Sequence, residues 1–93
     1  MAEAVAASNA SIALRRERLA RVPHDPQRNR DLAVALPNHA EVLARAGSHR
    51  AACNAAQEAV RQWTAIRAAG NLGARDAAKD VPEAAKVATR LCG

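Results

Sequence analysis

The amino-acid sequence predicts an all-α fold of antiparallel helical hairpins, with about four helices in a single domain over residues 1–93. Three observations lead to this prediction. Apolar residues recur every three or four positions through the middle of the chain, as one buried face of a helix requires. Most of them are alanine, the best helix former, and the β-branched residues are too scattered to mark strands. Trp63 is the only aromatic residue, so the core is expected to be thin and closely packed.

The strongest pattern predicts a helical hairpin, with helices over 31–47 and 48–67. The positions that carry the helical spacing are Leu32, Leu36, Ala40 and Leu43 in the first helix and Ala52, Ala56, Ala59, Trp63 and Ile66 in the second. Gly47 suits the left-handed conformation that ends many helices, and Ser48 can cap the helix that follows. The two helices are therefore expected to run antiparallel.

On the N-terminal side of the hairpin, a helix is predicted over 2–21, where an apolar stripe ends in a group of arginines. A loop is predicted over 22–30. Pro23 and Pro26 each remove a backbone donor and disfavour helix in the residue before them.

On the C-terminal side, two glycines predict a break over 69–75, and a last helix is predicted over 81–91. Asp80 is expected to cap this helix and to form a capping box with Glu83.

Pro37 allows two interpretations of the first hairpin helix. If the helix starts near Asp31, with Asp31 or Asn29 as its cap, Pro37 removes a backbone hydrogen bond and costs about 3 kcal/mol unless the helix kinks. Alternatively, the helix starts at Leu36 or Pro37. The sequence leaves this choice open.

The hairpin resembles a tetratricopeptide repeat, a helix-turn-helix unit of roughly 34 residues. The positions that carry the resemblance are Leu36, His39, Ala40, Leu43, Gly47, Ala52, Ala56 and Ala59. The stretch is also similar to the longer repeats of kinesin-light-chain type found in bacterial signalling proteins. It departs from the family pattern at His39, Ala56 and Thr64, where leucine, a large apolar residue and proline are usual.

A second match within the chain supports a repeat. Residues 76–90 align in register with residues 31–45, at a period of 45 residues. The alignment places Pro82 on Pro37 and suggests that both helices accommodate proline in the same way. The chain is therefore interpreted as one full repeat between two half-repeats. Three arrangements stay open: the half-repeats close on the hairpin, the open ends pair with a second copy, or the chain is a fragment of a longer array.

The resemblance implies a non-enzymatic module for protein–protein interaction or oligomerisation. In tetratricopeptide arrays, the first helices of successive hairpins line a groove that binds an extended peptide or a helix. The resemblance carries Asn38, Glu41 and Arg45 onto that groove, and their spacing places them on one helix face. Two alternatives stay open: a solvated face with a Glu41–Arg45 pair, and a repeat fragment without independent function.

The net charge of +5 suggests another function, binding of nucleic acid or an acidic surface. Only one local cluster of arginines supports it, namely Arg15, Arg16, Arg18 and Arg21. The other arginines are interleaved with acidic residues, and no aromatic residues accompany them for base stacking.

No group of residues indicates an enzyme or a bound cofactor. No serine lies in a glycine-rich elbow, and the glycines form no phosphate-binding loop. His49 and Cys53 lie four apart with His39 on the partner helix, but no second close pair supports zinc, so no metal site is predicted. His39 is expected to be buried and hydrogen-bonded. Cys53 and Cys92 are expected to be reduced thiols of a cytoplasmic protein, and no apolar run is long enough to cross a membrane.

Overall fold

Five helices make up the fold in the computed structural model, which describes residues 2–93. They are α1 (Ala2–Arg21), α2 (Pro26–Arg45), α3 (His49–Ala68), α4 (Ala74–Ala78) and α5 (Asp80–Cys92). No strand occurs in this described range, and the predicted all-α class is confirmed. Four of the helices are long, and α4 has only five residues.

The α2–α3 hairpin is the centre of the molecule. α1 packs against α2, and α5 packs against both α3 and α2, so the two outer helices cover different parts of the hairpin. The two largest clefts described below lie between α2 and α5 and between α1 and α2.

Gly47 ends α2 in the left-handed conformation that the sequence predicts, with φ of 85°. The N–H of Ser48 donates to the Leu43 carbonyl at 2.9 Å, and the N–H of Gly47 donates to the Ala44 carbonyl at 3.0 Å. These two bonds satisfy carbonyls that a helix end otherwise leaves free. Ser48 precedes α3 as expected but makes no side-chain capping bond.

The start of α2 differs from the prediction. The helix begins at Pro26, so the loop is confined to residues 22–25 and does not extend to residue 30. Asp25 is the cap, and its carboxylate accepts from the backbone N–H of Gln27 at 3.2 Å. Pro26 fits the first helical position because the N–H that it lacks would have no partner there. Neither Asn29 nor Asp31 caps the helix.

Pro37 lies in the interior of α2 and does not start the helix. The carbonyl of Ala33 consequently lacks the donor that residue 37 would otherwise provide. Pro82, in contrast, is in the first turn of α5, where a proline removes no helical hydrogen bond. The prediction that the two prolines are accommodated in the same way is therefore wrong.

The C-terminal boundaries also differ from the prediction. α4 begins at Ala74, inside the predicted break over 69–75. Lys79 occupies the cap position of α5, and Asp80 is the first residue of the helix. No side-chain capping bond forms there, so the predicted capping box of Asp80 with Glu83 is wrong.

The core consists of two clusters along the hairpin. The cluster around Trp63 is the larger, with Ile12, Leu32, Ala33, Leu36, Ala59, Trp63, Ile66 and Ala84. The other lies towards Gly47 and contains Ala40, Leu43, Ala52, Ala55, Ala56 and Val87. The alanines allow the helix backbones to approach closely, and Trp63 supplies the largest single buried surface.

Cys53 and Cys92 form a disulfide, with a Cα–Cα distance of 4.8 Å. The prediction of reduced thiols is therefore wrong. The bond joins the last residue of α5 to α3, on which α5 packs. Only this packing brings together two cysteines that are 39 residues apart in sequence.

Candidate functional site

A groove runs between α2 and α5, with a cavity volume of about 270 Å³. We call it the acidic groove. Apolar groups form its floor, namely Ala33, Val34, Pro37, Trp63 and Val87. Its polar rim consists of Asn38 and Glu41 from α2 and Asp80 and Glu83 from α5.

Three carboxylates and no cationic side chain line the acidic groove. Glu41 is paired with Arg90 of α5, whose hydrogen bond lowers the pKa of the Glu41 carboxyl. Asp80 and Glu83 have no salt-bridge partner within residues 2–93. The groove is thus a negative region on a chain whose net charge is +5.

Asp80 is in a particularly unfavourable position for a charged carboxylate. Partial burial raises the pKa of Asp80, and the adjacent carboxylate of Asp76 raises it further. Asp76 itself is 8% exposed and is held by Arg30, with Nε to Oδ2 at 2.8 Å and Nη2 to Oδ1 at 3.1 Å. This bidentate pair lowers the pKa of Asp76, so Asp76 keeps its negative charge beside Asp80. A cation in the groove would offset the electrostatic repulsion between Asp80 and Asp76.

Two polar groups near the floor of the groove lack a hydrogen-bond partner that they could have, namely a backbone carbonyl and an indole N–H. The Ala33 carbonyl has no donor at position 37 because that residue is proline. Trp63 is 2% exposed, and its Nε1 is buried without a partner in the described part of the chain. Trp63 also borders a smaller cavity of about 160 Å³ between α3 and α5. The indole therefore borders both spaces that flank α5.

The structure separates the three residues that the sequence places on the interaction face. Asn38 and Glu41 line the acidic groove, whereas Arg45 is exposed and does not line it. The Glu41–Arg45 pair of the alternative interpretation is absent among the ion pairs of residues 2–93, where Glu41 pairs with Arg90.

Asp80 and Glu83 of α5 were predicted from the sequence as a capping box and not as residues of the site. A signal for one of them was present, because the period of 45 residues aligns Glu83 with Asn38. Asp80 aligns with an alanine, so no comparison within the chain could find it.

The arginine cluster of α1 is largely engaged within the molecule. Arg16 forms a bidentate pair with Glu58 of α3, with Nη2 to Oε1 at 2.7 Å, and Arg21 pairs with Glu17 at 2.7 Å. Arg15 bonds Ser11 of its own helix. The Arg18 side chain makes no hydrogen bond or ion pair in the part of the chain that the structure describes. The surface available for nucleic acid is therefore smaller than the sequence suggests.

His39 is buried, at 8% exposure, and its Nδ1 lies 2.6 Å from the Ser8 hydroxyl of α1. The prediction of a buried, hydrogen-bonded histidine is confirmed. Burial, followed by the positive charge of Arg16, lowers the pKa of His39. Cys53 is bonded to Cys92 in the disulfide. Within residues 2–93, no group of three His, Cys, Asp or Glu side chains is close enough together to hold a metal ion.

No helix within the described residues combines the length and apolar character that crossing a bilayer requires. Comparison with protein-family models, with curated proteins and with solved structures finds no match to this chain.

Proposed function

We propose that this chain is a non-enzymatic protein–protein interaction module of tetratricopeptide type, whose acidic groove binds a peptide or helix that presents a basic side chain. The observation that carries the proposal is the arrangement of the groove. Carboxylates from α2 and α5 stand over an apolar floor, on a chain that is otherwise positively charged. Such charge complementarity gives an interface its specificity and speeds its formation.

A lysine or arginine side chain matches both parts of the acidic groove. Its aliphatic stem can pack on Val34 and Val87 while the charged end reaches Asp80 and Glu83. The Ala33 carbonyl, which receives no hydrogen bond from Pro37, can serve as an additional acceptor. Asn38 can bond a peptide backbone, because its amide both donates and accepts.

The test uses Trp63 as a reporter, because it is the only tryptophan in the chain and lines the groove. A peptide display library is selected on the oxidised protein, and enriched peptides are titrated while indole fluorescence is followed. We expect enrichment of Lys or Arg beside an apolar residue. Enrichment of acidic peptides, or of none, would contradict the proposal.

A groove variant and a control variant separate the effect of the groove from general charge effects. Neutralising the two unpaired carboxylates together, Asp80→Asn with Glu83→Gln, is expected to weaken binding about tenfold, since exposed pairs contribute up to about 1 kcal/mol each. Glu3→Gln removes one charge at the exposed start of α1 and is expected to leave binding unchanged. Equal losses in both variants would show that the groove is not the binding site.

Binding of nucleic acid through Arg15, Arg16, Arg18 and Arg21 remains the alternative function. The internal pairs of Arg16 and Arg21 count against it, and it predicts binding to a duplex at low salt that weakens steeply as salt is added.

Light scattering on the same sample tests oligomerisation through the outer helices. A chain that remains monomeric and binds neither peptide nor duplex would behave as the repeat fragment without independent function.

A further inference from the structure

A second cavity, of about 430 Å³, lies between α1 and α2. We call it the α1–α2 cavity. It is separate from the acidic groove and touches it only at Asn38, which borders both. Its apolar wall consists of Ala4, Ala7, Ile12, Ala35 and Val42. These short side chains leave room for a small aliphatic group.

The polar groups of the α1–α2 cavity are of a different type from those of the groove. They are Ser8, Ser11, Arg15, Asn38 and His39, and no carboxylate is among them. At neutral pH the burial of His39 favours the uncharged imidazole. The cavity therefore holds one fixed positive charge, on Arg15, with hydroxyl and amide groups around it.

Arg15 is positioned with one edge of its guanidinium unused. Its Nη1 donates to the Ser11 hydroxyl and, at 3.3 Å, to the Ser11 carbonyl. Its Nε and Nη2 have no acceptor within residues 2–93. That edge presents two parallel N–H donors, which is the geometry that binds the two oxygens of a carboxylate.

The charges around Arg15 leave it available to a ligand. Its neighbour Arg16 is paired with Glu58 and does not line the cavity, although its charge still acts on His39. Asp31 shares a small cleft with Arg15, Arg18 and Arg28, but it forms no ion pair with Arg15 and accepts from Gln27 at 2.9 Å.

We propose that the α1–α2 cavity is a binding site for a small organic carboxylate with a short aliphatic body. One guanidinium edge matches a singly charged, planar carboxylate, while a doubly charged phosphate would meet no second Arg or Lys in the lining of this cavity. The Ser11 hydroxyl accepts from Arg15, borders the same space and can donate to a carboxylate oxygen. The Ser8 hydroxyl can donate as well when His39 Nδ1 carries the proton and is the donor in their bond. The apolar wall of the cavity accommodates the aliphatic body.

The composition of the chain makes a direct test possible by proton NMR. The only aromatic protons belong to Trp63 and to three histidines, because the chain has no Phe or Tyr. Substituting the exposed His24 and His49 with Gln leaves His39 as the single imidazole, on the wall of the cavity. Butyrate is titrated as the probe, with butyramide and inorganic phosphate as comparisons. The His39 resonances are expected to shift saturably, with a Kd on the order of 1–10 mM for so small a ligand.

Two further results are expected with butyrate. The Trp63 resonances stay unchanged, since Trp63 does not line this cavity. The titration midpoint of His39 rises when butyrate is bound, because a bound anion favours the charged imidazolium. Butyramide is expected to give no saturable shift of the His39 resonances, and phosphate is expected to give a smaller shift than butyrate.

Arg15→Gln is the decisive variant and is expected to weaken butyrate binding at least tenfold, through loss of the charge-assisted pair. Arg18→Gln removes the same charge from the exposed side of α1 and is the control. Circular dichroism and unchanged Trp63 resonances verify that both variants are folded. The proposal is overturned by an equal response to butyramide, by no shift at about 50 mM butyrate, or by Arg15→Gln binding as the parent does. Because the groove is monitored by Trp63 and this cavity by His39, either proposal can fail without the other.

Discussion

Breaking the Cys53–Cys92 disulfide is expected to destabilise the fold by several kcal/mol. The bond closes a loop across a sequence separation of 39 residues. In the chain-entropy model, a loop of that length removes about 13 cal/mol/K from the unfolded state, or about 4 kcal/mol at 25 °C. Measured effects are often smaller, so about 2–4 kcal/mol is the expected range. For a domain of this size, such a loss lowers the Tm by roughly 10–30 °C.

The assay is thermal unfolding followed by circular dichroism, on the oxidised protein, on the reduced protein and on the Cys53→Ser, Cys92→Ser double variant. The reduced protein and the double variant should agree, because neither retains the cross-link. Intact mass under non-reducing conditions first verifies that two hydrogens are missing in the oxidised form. A Tm that changes by less than about 5 °C on reduction would refute the reasoning.

The disulfide also bears on where the protein works. The predicted cytoplasmic location rested on reduced thiols, whereas a disulfide between Cys53 and Cys92 is typical of an oxidising compartment. If the mass of the protein isolated from its own cells shows two free thiols, that result favours the predicted cytoplasmic location.

Two further predictions concern single residues of α2. Burial, and then the charge of Arg16, lower the pKa of His39 below its ordinary 6.5, while Glu58 opposes them. The imidazole therefore binds its second proton more tightly in the unfolded chain than in the folded chain. The contribution of His39 to stability should therefore be fully present above its unfolded-state value of about 6.5 and be lost as the pH falls below it. This slope should vanish in His39→Gln when urea midpoints are compared. Pro37→Ala restores an N–H to the Ala33 carbonyl and should raise the free energy of unfolding by about 1–3 kcal/mol. Urea unfolding measures the gain, and an unchanged or lower stability would show that the proline is not the weak point of α2.

The fold class could be predicted from the sequence because it depends on local signals. Helical periodicity runs through the chain, and Gly47 marks the turn with the conformation that glycine adopts most easily. The start of α2 was missed although its signal is also local. An Asp followed by Pro at 25 and 26 is a common helix start, with the aspartate as cap and the proline in the first position. Pro26 was instead interpreted as a residue that stops a helix.

The candidate site could be predicted only in part because it lies between helices from distant parts of the chain. Asn38 and Glu41 were placed on the interaction face from their spacing along one helix. Asp80 and Glu83 join them only because α5 packs beside α2, and that packing is a property of the tertiary structure. The same is true of the disulfide and of the Ser8–His39 bond, which joins residues 31 apart in sequence.

The way α5 is attached links the stability of the fold to the acidic groove. Only Ala84 and Val87 of α5 are fully buried, so its hydrophobic contribution is small. Other attachments compensate at both ends: the Arg30–Asp76 pair just before the helix, the Arg90–Glu41 pair near its end, and the disulfide at its last residue. Since α5 forms one wall of the groove, a ligand that contacts both walls would add a further attachment. Its binding would then stabilise the docked helix by mass action, and most strongly when the disulfide is absent and α5 is least secure.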